Sequence, residues 1–271
     1  MIKLIAMDLD GTLLNDEKQI PQVNKDAIQE AREKGIYIVL CSGRSAQSME
    51  RLINELELNV PGQYYITSNG ARIMEGGKNE PMHSCSIPKG AAHELIQIAR
   101  EHGDLVNCHV YVDDIVYVER FLPQTQRYVQ LSGTHCEVVE SLNAYENEDQ
   151  PKVLFNNLGT SEQLVEFQNS LQENLPEKIQ MFRSSNSLLE FVHEDAGKWN
   201  AVAYLAEYLN IQNNQILCMG DNENDMSMVA GAGIGGVPSN AVESLKAAAD
   251  YISPLNNNEG AVAEIIRHFC E

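Results

Sequence analysis

Short apolar runs alternate with amphipathic segments along the first part of the chain. Residues 1–7 carry one charged side chain, Lys3, and read as a buried strand that ends where Asp8 and Asp10 begin. Residues 21–34 place Val23, Ala27, Ile28 and Ala31 at helical spacing, with Pro21 near the start and Gly35 beyond the end. A second apolar run at 36–41 precedes a helix marked by Met49, Leu52, Ile53 and Leu56, and a short strand follows at 64–66. Strand and helix in alternation predict an α/β fold with a Rossmann-like parallel sheet.

The pattern changes after Gly70. Residues 72–75, the turn-rich Gly76-Gly77-Lys78-Asn79 and residues 81–86 suggest a hairpin leaving the sheet. A helix over about 89–102 and β-rich runs at 105–112 and 115–118 follow; a run at 152–158, a helix at 161–175 and runs at 178–183 and 188–193 repeat that order. Two similar halves predict a separate, inserted α+β unit at 84–190, with the acidic stretch 141–150 as an exposed loop inside it. From Gly197 the alternation returns: a helix to about 209, a strand at 215–219, a helix from Glu223, a strand near 232–237, and helices at 241–249 and 260–269. The first domain, 1–83 with 191–271, is therefore expected to be interrupted by the second.

Composition narrows the function. With 271 residues, 43% of them hydrophobic, the chain can bury a substantial core. No apolar run approaches the ~20 residues of a membrane span, and Asp8 breaks the first run too early for a signal peptide, so a cytoplasmic protein is expected. The six cysteines form no C-x-x-C pair and read as reduced, mostly buried thiols. A formal charge of −20 argues against nucleic acid and anionic membranes as partners. The same acidity repels small anions, so a site for one needs local positive charge.

Chemistry gathers at the predicted strand ends, where parallel α/β sheets bind their ligands. Asp8-Leu9-Asp10-Gly11-Thr12 follows the first strand. An Asp-Gly turn is an ordinary way to end a strand, yet D-x-D-G-T should arise by accident in only about 0.3% of chains this long. Ser42-Gly43-Arg44 follows the second strand; Ser42 and Gly43 can offer a hydroxyl and a backbone N–H to phosphate oxygens, or simply form a turn. Gly220-Asp221-Asn222-Glu223-Asn224-Asp225 ends a later strand, where Asp and Asn also serve as helix caps. Two acidic clusters in one sheet can converge on a hard cation, for which Mg²⁺ is the expected metal. Lys198, at a helix start, is either a surface lysine or the cation such a site needs. Gly231 to Gly236 satisfies G-x-G-x-x-G, but it follows a predicted helix and itself reads as a strand, so no nucleotide cofactor is expected. The seven histidines show no metal-ligand spacing, and among them His193 alone neighbours a predicted strand tip.

These motifs, in this order and across nearly the whole chain, resemble the haloacid dehalogenase-like phosphohydrolases. Ser42-Gly43-Arg44 and Ser68-Asn69-Gly70-Ala71 look like the Cof-type branch of sugar and metabolite phosphatases. The resemblance implies that Asp8 is the nucleophile and Asp10 the general acid and base. It implies a metal shell of Asp8, the Asp10 carbonyl and Asp221, supported by Asp225, and phosphate contacts from Ser42, Gly43, Arg44, Lys198 and Asn224, with Asn69 lining the pocket. The inserted unit would be a mobile cap that sets specificity, and the substrate a small phosphorylated metabolite, most simply a sugar phosphate. Two departures stand out: Trp199 where a glycine usually follows the motif lysine, expected to narrow the pocket, and the loop Gly236-Val237-Pro238-Ser239-Asn240. A phosphomutase and a phospho-accepting signalling module are the alternatives, the second weakened by this chain's length, its inserted unit and Asp10. Physiological substrate and oligomeric state are not legible in the sequence.

Overall fold

The protein is described by a computed structural model covering residues 1–270. The leading segment runs β1 (Leu4–Met7), α1 (Gln22–Glu33), β2 (Tyr37–Cys41), α2 (Ala46–Glu55), β3 (Tyr64–Thr67), β4 (Arg72–Glu75) and β5 (His83–Ser84). The inserted segment holds α3 (Lys89–Glu101), β6 (Val106–Val112), β7 (Ile115–Val118), α4 (Pro123–Ser132), β8 (His135–Val138), β9 (Val153–Asn157), α5 (Ser161–Gln172), β10 (Ile179–Ser185) and β11 (Leu188–His193). The last segment is α6 (Lys198–Tyr208), β12 (Ile216–Met219), α7 (Met226–Gly231), β13 (Ile234–Val237), α8 (Glu243–Ala248), β14 (Tyr251–Ile252) and α9 (Ala261–Cys270). By packing, residues 1–43, 49–83 and 197–270 form one compact unit, and Arg44–Ser48 with Ser84–Ala196 a second.

The first unit is built on an eight-stranded sheet ordered β14-β13-β12-β1-β2-β3-β4-β5. Pairing is parallel from β14 to β3, with β1 between β2 and β12. Leu4, Ile5, Ala6 and Met7 point alternately to the two faces, yet none is exposed, because both faces are covered. Helix α6 supplies Ala201, Val202 and Leu205 against Leu4, Ala6, Val39 and Cys218. Helices α1 and α9 pack together, with the buried Asn24 side chain accepting from the Ala263 N–H at 3.0 Å.

The predicted hairpin does not leave this sheet. Strand β4 pairs antiparallel with β3, Thr67 opposite Arg72, and β5 follows at the edge. The reversal is made by Ser68, Asn69 and Gly70, all at positive φ, which turns the chain in three residues. The helix expected from Glu223 starts as a 3-10 turn, Glu223–Asp225, before α7.

The second unit carries a six-stranded sheet, β10-β11-β9-β6-β7-β8, antiparallel except for β7 with β8. Alternate residues Val106, Cys108, Val110, Val153, Phe155, Leu189 and Phe191 meet α3 and α5 on one face. The opposite face joins an apolar patch of Tyr111, Val116, Val118 and Leu154 to buried polar residues, with Asn107, His109, Lys152, Asn156 and Glu190 all nearly inaccessible. The Lys152 ammonium lies 3.0 Å from the Glu190 carboxylate and over the Tyr111 ring. Burial holds the His109 imidazole neutral, down to about 3, and Lys152 adds to that shift.

Two sequence expectations need correction here, and two elements were not anticipated. Residues 191–196 pack with the second unit, not the first, because β11 runs on to His193 paired with β10. The stretch 141–150 is not simply an exposed loop: Leu142 and Gln150 are buried, and Ser141 caps a 3-10 turn at Leu142–Tyr145. Elements α4 and β8 had no sequence signal, since α4 buries Thr125 alone and β8 is largely exposed.

Candidate active site

Strand β1 ends inside the sheet, so the residue that follows it emerges at the carboxyl edge flanked by the ends of β2 and β12. Asp8 is that residue; its N–H bonds the Met219 carbonyl at 3.0 Å, and it is 6% exposed. Lys198, the first residue of α6, is 1% exposed and donates to Asp8 Oδ1 at 2.5 Å and to Asp225 Oδ1 at 2.6 Å. Asp225 is fully buried, and its Oδ2 accepts from the N–H groups of Asp221 and Asn222 at 3.0 and 3.2 Å. Thr12 Oγ1 donates to Asp221 Oδ1 at 3.0 Å, tying the β1 loop to the β12 loop.

One carboxylate oxygen from each of Asp8, Asp221 and Asp225 lies within 4.8 Å of the others. Burial pushes Asp8 up to about 8, against the pull of Lys198 and reinforced by Asp225 and Asp221. Asp221 rises to about 6 for the same first reason, with Asp225 adding to it and the Thr12 bond opposing. Burial disfavours the Lys198 ammonium, but Asp225 and Asp8 outweigh it and drive its pKa upward. One ammonium is too little charge for three carboxylates in this space. An all-oxygen donor set with excess negative charge fits a hard divalent cation of the Mg²⁺ kind.

The remaining predicted residues fall in four places. Ser42, Gly43 and Asn69 lie at the adjoining ends of β2 and β3, with the Asn69 N–H donating to the Ser42 carbonyl at 3.0 Å. A Cβ on Gly43 would come within 2.9 Å of the Asn69 amide, so that glycine admits the close approach. Asp10 stands apart from the carboxylate cluster: its side chain is 40% exposed and accepts from Lys18 at 2.8 Å. Asn224 is exposed on the turn after β12. Arg44 packs with the second unit, unlike every other predicted site residue.

Trp199 does not act as the sequence suggested. Its ring packs with the apolar cluster beneath α6, against Gly231, where any Cβ would come within 2.6 Å of it. That contact also accounts for the first glycine of the G-x-G-x-x-G stretch, and a Cβ on Gly233 or Gly235 would come within 2.2 or 2.3 Å of the Asn213 or Val229 carbonyl oxygen. Sequence reasoning missed Asn240, whose amide donates to the Gly11 carbonyl at 2.8 Å, and Asn257, which donates to the Leu14 carbonyl at 3.0 Å. The divergent loop thus braces the loop that follows Asp8.

Gly11 has φ +83, and a Cβ there would lie 2.3 Å from Asp221 Oδ2. Gly11→Ala is therefore expected to strain the backbone by about 1–2 kcal/mol and to push Asp221 aside. The expected result is a fall in kcat/KM of about tenfold or more, each tenfold being about 1.4 kcal/mol of barrier, with little change in the far-UV spectrum.

Comparison with known proteins agrees with this geometry. The family profile described as haloacid dehalogenase-like hydrolase matches residues 5–266. The Bacillus subtilis protein named "Putative phosphatase YxeH" is 32% identical, covering 98% of this chain and 97% of its own. A B. subtilis 5-amino-6-(5-phospho-D-ribitylamino)uracil phosphatase, YcsE, is 29% identical over 99% and 96% of the two chains. The crystal structure of a haloacid dehalogenase-like hydrolase from Bacteroides thetaiotaomicron superposes with a TM-score of 0.88 at 31% identity, covering 99% of each chain. With a match that spans both units and relatives named as phosphatases, the chain belongs to the haloacid dehalogenase-like hydrolases, as a phosphatase of their Cof-type branch.

Proposed function

We propose that the protein is a magnesium-dependent cytoplasmic phosphomonoesterase for small phosphorylated metabolites, with sugar and polyol phosphates as its substrate class. The observation that carries this reading is Asp8: a buried carboxylate at a strand end, held through Oδ1 by Lys198, with Asp221 and Asp225 beside it and Asp10 two residues on. The phosphoribityl substrate named for the YcsE relative supports the substrate class.

In this reading Asp8 attacks phosphorus, the ester P–O bond breaks, and the leaving alkoxide takes its proton from Asp10. Asp10 then removes a proton from water as that water attacks the phosphoaspartate, returning Asp8 and releasing orthophosphate. Lys198, Ser42, Gly43, Arg44, Asn69 and Asn224 orient the phosphoryl group. Asp8, the Asp10 carbonyl, Asp221 and Asp225 would hold Mg²⁺, which when bound supplies the charge that lets an anionic nucleophile meet an anionic phosphate. The inserted unit acts as the cap that selects the substrate and excludes bulk water.

A screen of phosphorylated sugars, polyols, nucleotides and vitamins tests this proposal. The expected result is release of orthophosphate with multiple turnovers, fastest on sugar or polyol phosphates. Isomerised sugar phosphate without orthophosphate would make the protein a phosphomutase, and stoichiometric labelling without turnover a signalling module.

A further inference from the structure

Outside the site just described, one cluster joins a nucleophile to a base. Cys85 lies on the stretch of chain that leads into the inserted segment, and His193 and Asp195 on the stretch that leads out of it. The Cys85 Sγ is 3.2 Å from His193 Nδ1, and the Asp195 N–H points at the same nitrogen from 3.1 Å. A backbone N–H only donates, so Nδ1 accepts from Asp195, and in that tautomer the Cys85 S–H donates to the same nitrogen, with the Asp195 carboxylate 3.7 Å away. The backbone that carries the imidazole is anchored in turn. Gln180 donates its side-chain amide to the carbonyls of His193, Glu194 and Ala196, and the Ala196 N–H bonds the His193 carbonyl at 2.8 Å. A thiol within hydrogen-bond reach of a base, itself oriented by further groups, is the arrangement that activates a nucleophile.

The other thiols lack it. Cys41, Cys108 and Cys218 are buried, whereas Cys85, Cys136 and Cys270 are all partly accessible. Among the described residues neither Cys136 nor Cys270 has a hydrogen-bonded imidazole. Burial and the Asp195 carboxylate raise the Cys85 thiol above its usual range, so it rests protonated and reacts only as its proton is removed. His193 Nδ1 is placed to take that proton.

We propose that Cys85 is a reversible oxidation site for small peroxides, with His193 as its base, through which peroxide adjusts turnover. In the step, the sulfur attacks the nearer peroxide oxygen, the S–O bond forms and the O–O bond breaks. The thiol proton passes to Nδ1 and then to the departing oxygen, so thiol and hydrogen peroxide give sulfenic acid and water. The sulfenic acid carries one more oxygen and moves the donor proton from sulfur to that oxygen, so the 3.2 Å contact between Cys85 and His193 has to re-form at a longer sulfur–nitrogen distance. Only residues 194–197 separate His193 from Lys198, which holds Asp8, and the proposed regulation runs through that connection.

The test uses the full chain, hydrogen peroxide and a cyclic-diketone probe for sulfenic acids, followed by peptide mapping. Cys85 is expected to be labelled ahead of Cys136 and Cys270, and turnover to fall in proportion to the fraction oxidised and to recover with a thiol reductant. His193→Gln should slow labelling of Cys85 by about 10²-fold, the lower end of what a positioned base contributes, while Cys270 in the same molecules keeps its rate and reports an intact fold. Cys85→Ser, which retains a donor for Nδ1, should keep basal turnover and lose the response to peroxide. Equal labelling of the three accessible thiols, or a Cys85 rate unchanged in His193→Gln, overturns the assignment. Oxidation of Cys85 without change in turnover overturns its regulatory role.

Discussion

Replacing Asp8 by Asn is expected to abolish turnover and phosphoenzyme formation together while leaving the fold intact. The substitution removes the attacking oxygen, yet it also relieves a crowded site in which burial, Asp225 and Asp221 all oppose the Asp8 charge. The asparagine keeps a carbonyl oxygen to accept from Lys198, so thermal stability should hold or rise rather than fall. Asp10→Asn is expected to behave differently, because it keeps the nucleophile and the backbone carbonyl and loses only proton transfer, typically worth about 10² to 10⁴-fold. Its deficit should shrink with an aryl ester of low leaving-group pKa, which departs without protonation. Phosphoaspartate should then form faster than it is hydrolysed and accumulate on Asp8. Rapid-quench labelling with peptide mapping checks both variants; label on any residue other than Asp8, or normal turnover of either variant, would remove the proposed division of roles.

How much of this was legible depends on whether a feature is local in the chain. Strands β1 and β12 could be read because both faces of a central parallel strand are covered, leaving an unbroken apolar run, and the acids that follow each run mark its carboxyl end. Asp8 and Asp221 therefore announce themselves, and the structure brings them together with Asp225. Helix α4 could not be read, since Thr125 is its one buried residue and no apolar stripe results. Trp199 misled for the opposite reason. A bulky side chain beside a motif lysine looks like a pocket residue, and only the fold shows that helical geometry turns its ring under α7 to meet Gly231. Arg44 follows Ser42 and Gly43 directly in sequence, but the chain has already passed to the other packing unit. The braces from Asn240 to Gly11 and Asn257 to Leu14 span more than two hundred residues, and an asparagine in a loop carries no local mark of so distant a partner.

Removing divalent metal is expected to stop turnover as completely as losing Asp8, and to do so reversibly. A chelator should abolish release of orthophosphate and Mg²⁺ restore it, because Lys198 alone cannot offset Asp8, Asp221, Asp225 and an incoming phosphate dianion. The same carboxylates predict how stability depends on pH. Without metal, Asp8 titrates near 8 and Asp221 near 6, both raised from the 3.8 of an unperturbed aspartate. Between these limits the unfolded chain has lost protons that the folded one keeps, so the metal-free protein should lose stability as pH rises from about 4 towards 8. A bound cation favours the ionised carboxylates, lowers both values and removes that loss. Protons should therefore be released on binding, and Mg²⁺ affinity should rise with pH and level off above about 8. Metal at 100 times its Kd adds about 2.7 kcal/mol to the unfolding free energy. The measurements are thermal unfolding with and without Mg²⁺ at pH 5 and pH 8, and titration calorimetry in buffers of different ionisation enthalpy. The gain in Tm should be larger at pH 8 than at pH 5, and Asp221→Asn should reduce both the gain and the proton release. Turnover undiminished in chelator, or a Tm indifferent to Mg²⁺ at both pH values, would show that the three carboxylates serve some purpose other than holding a cation.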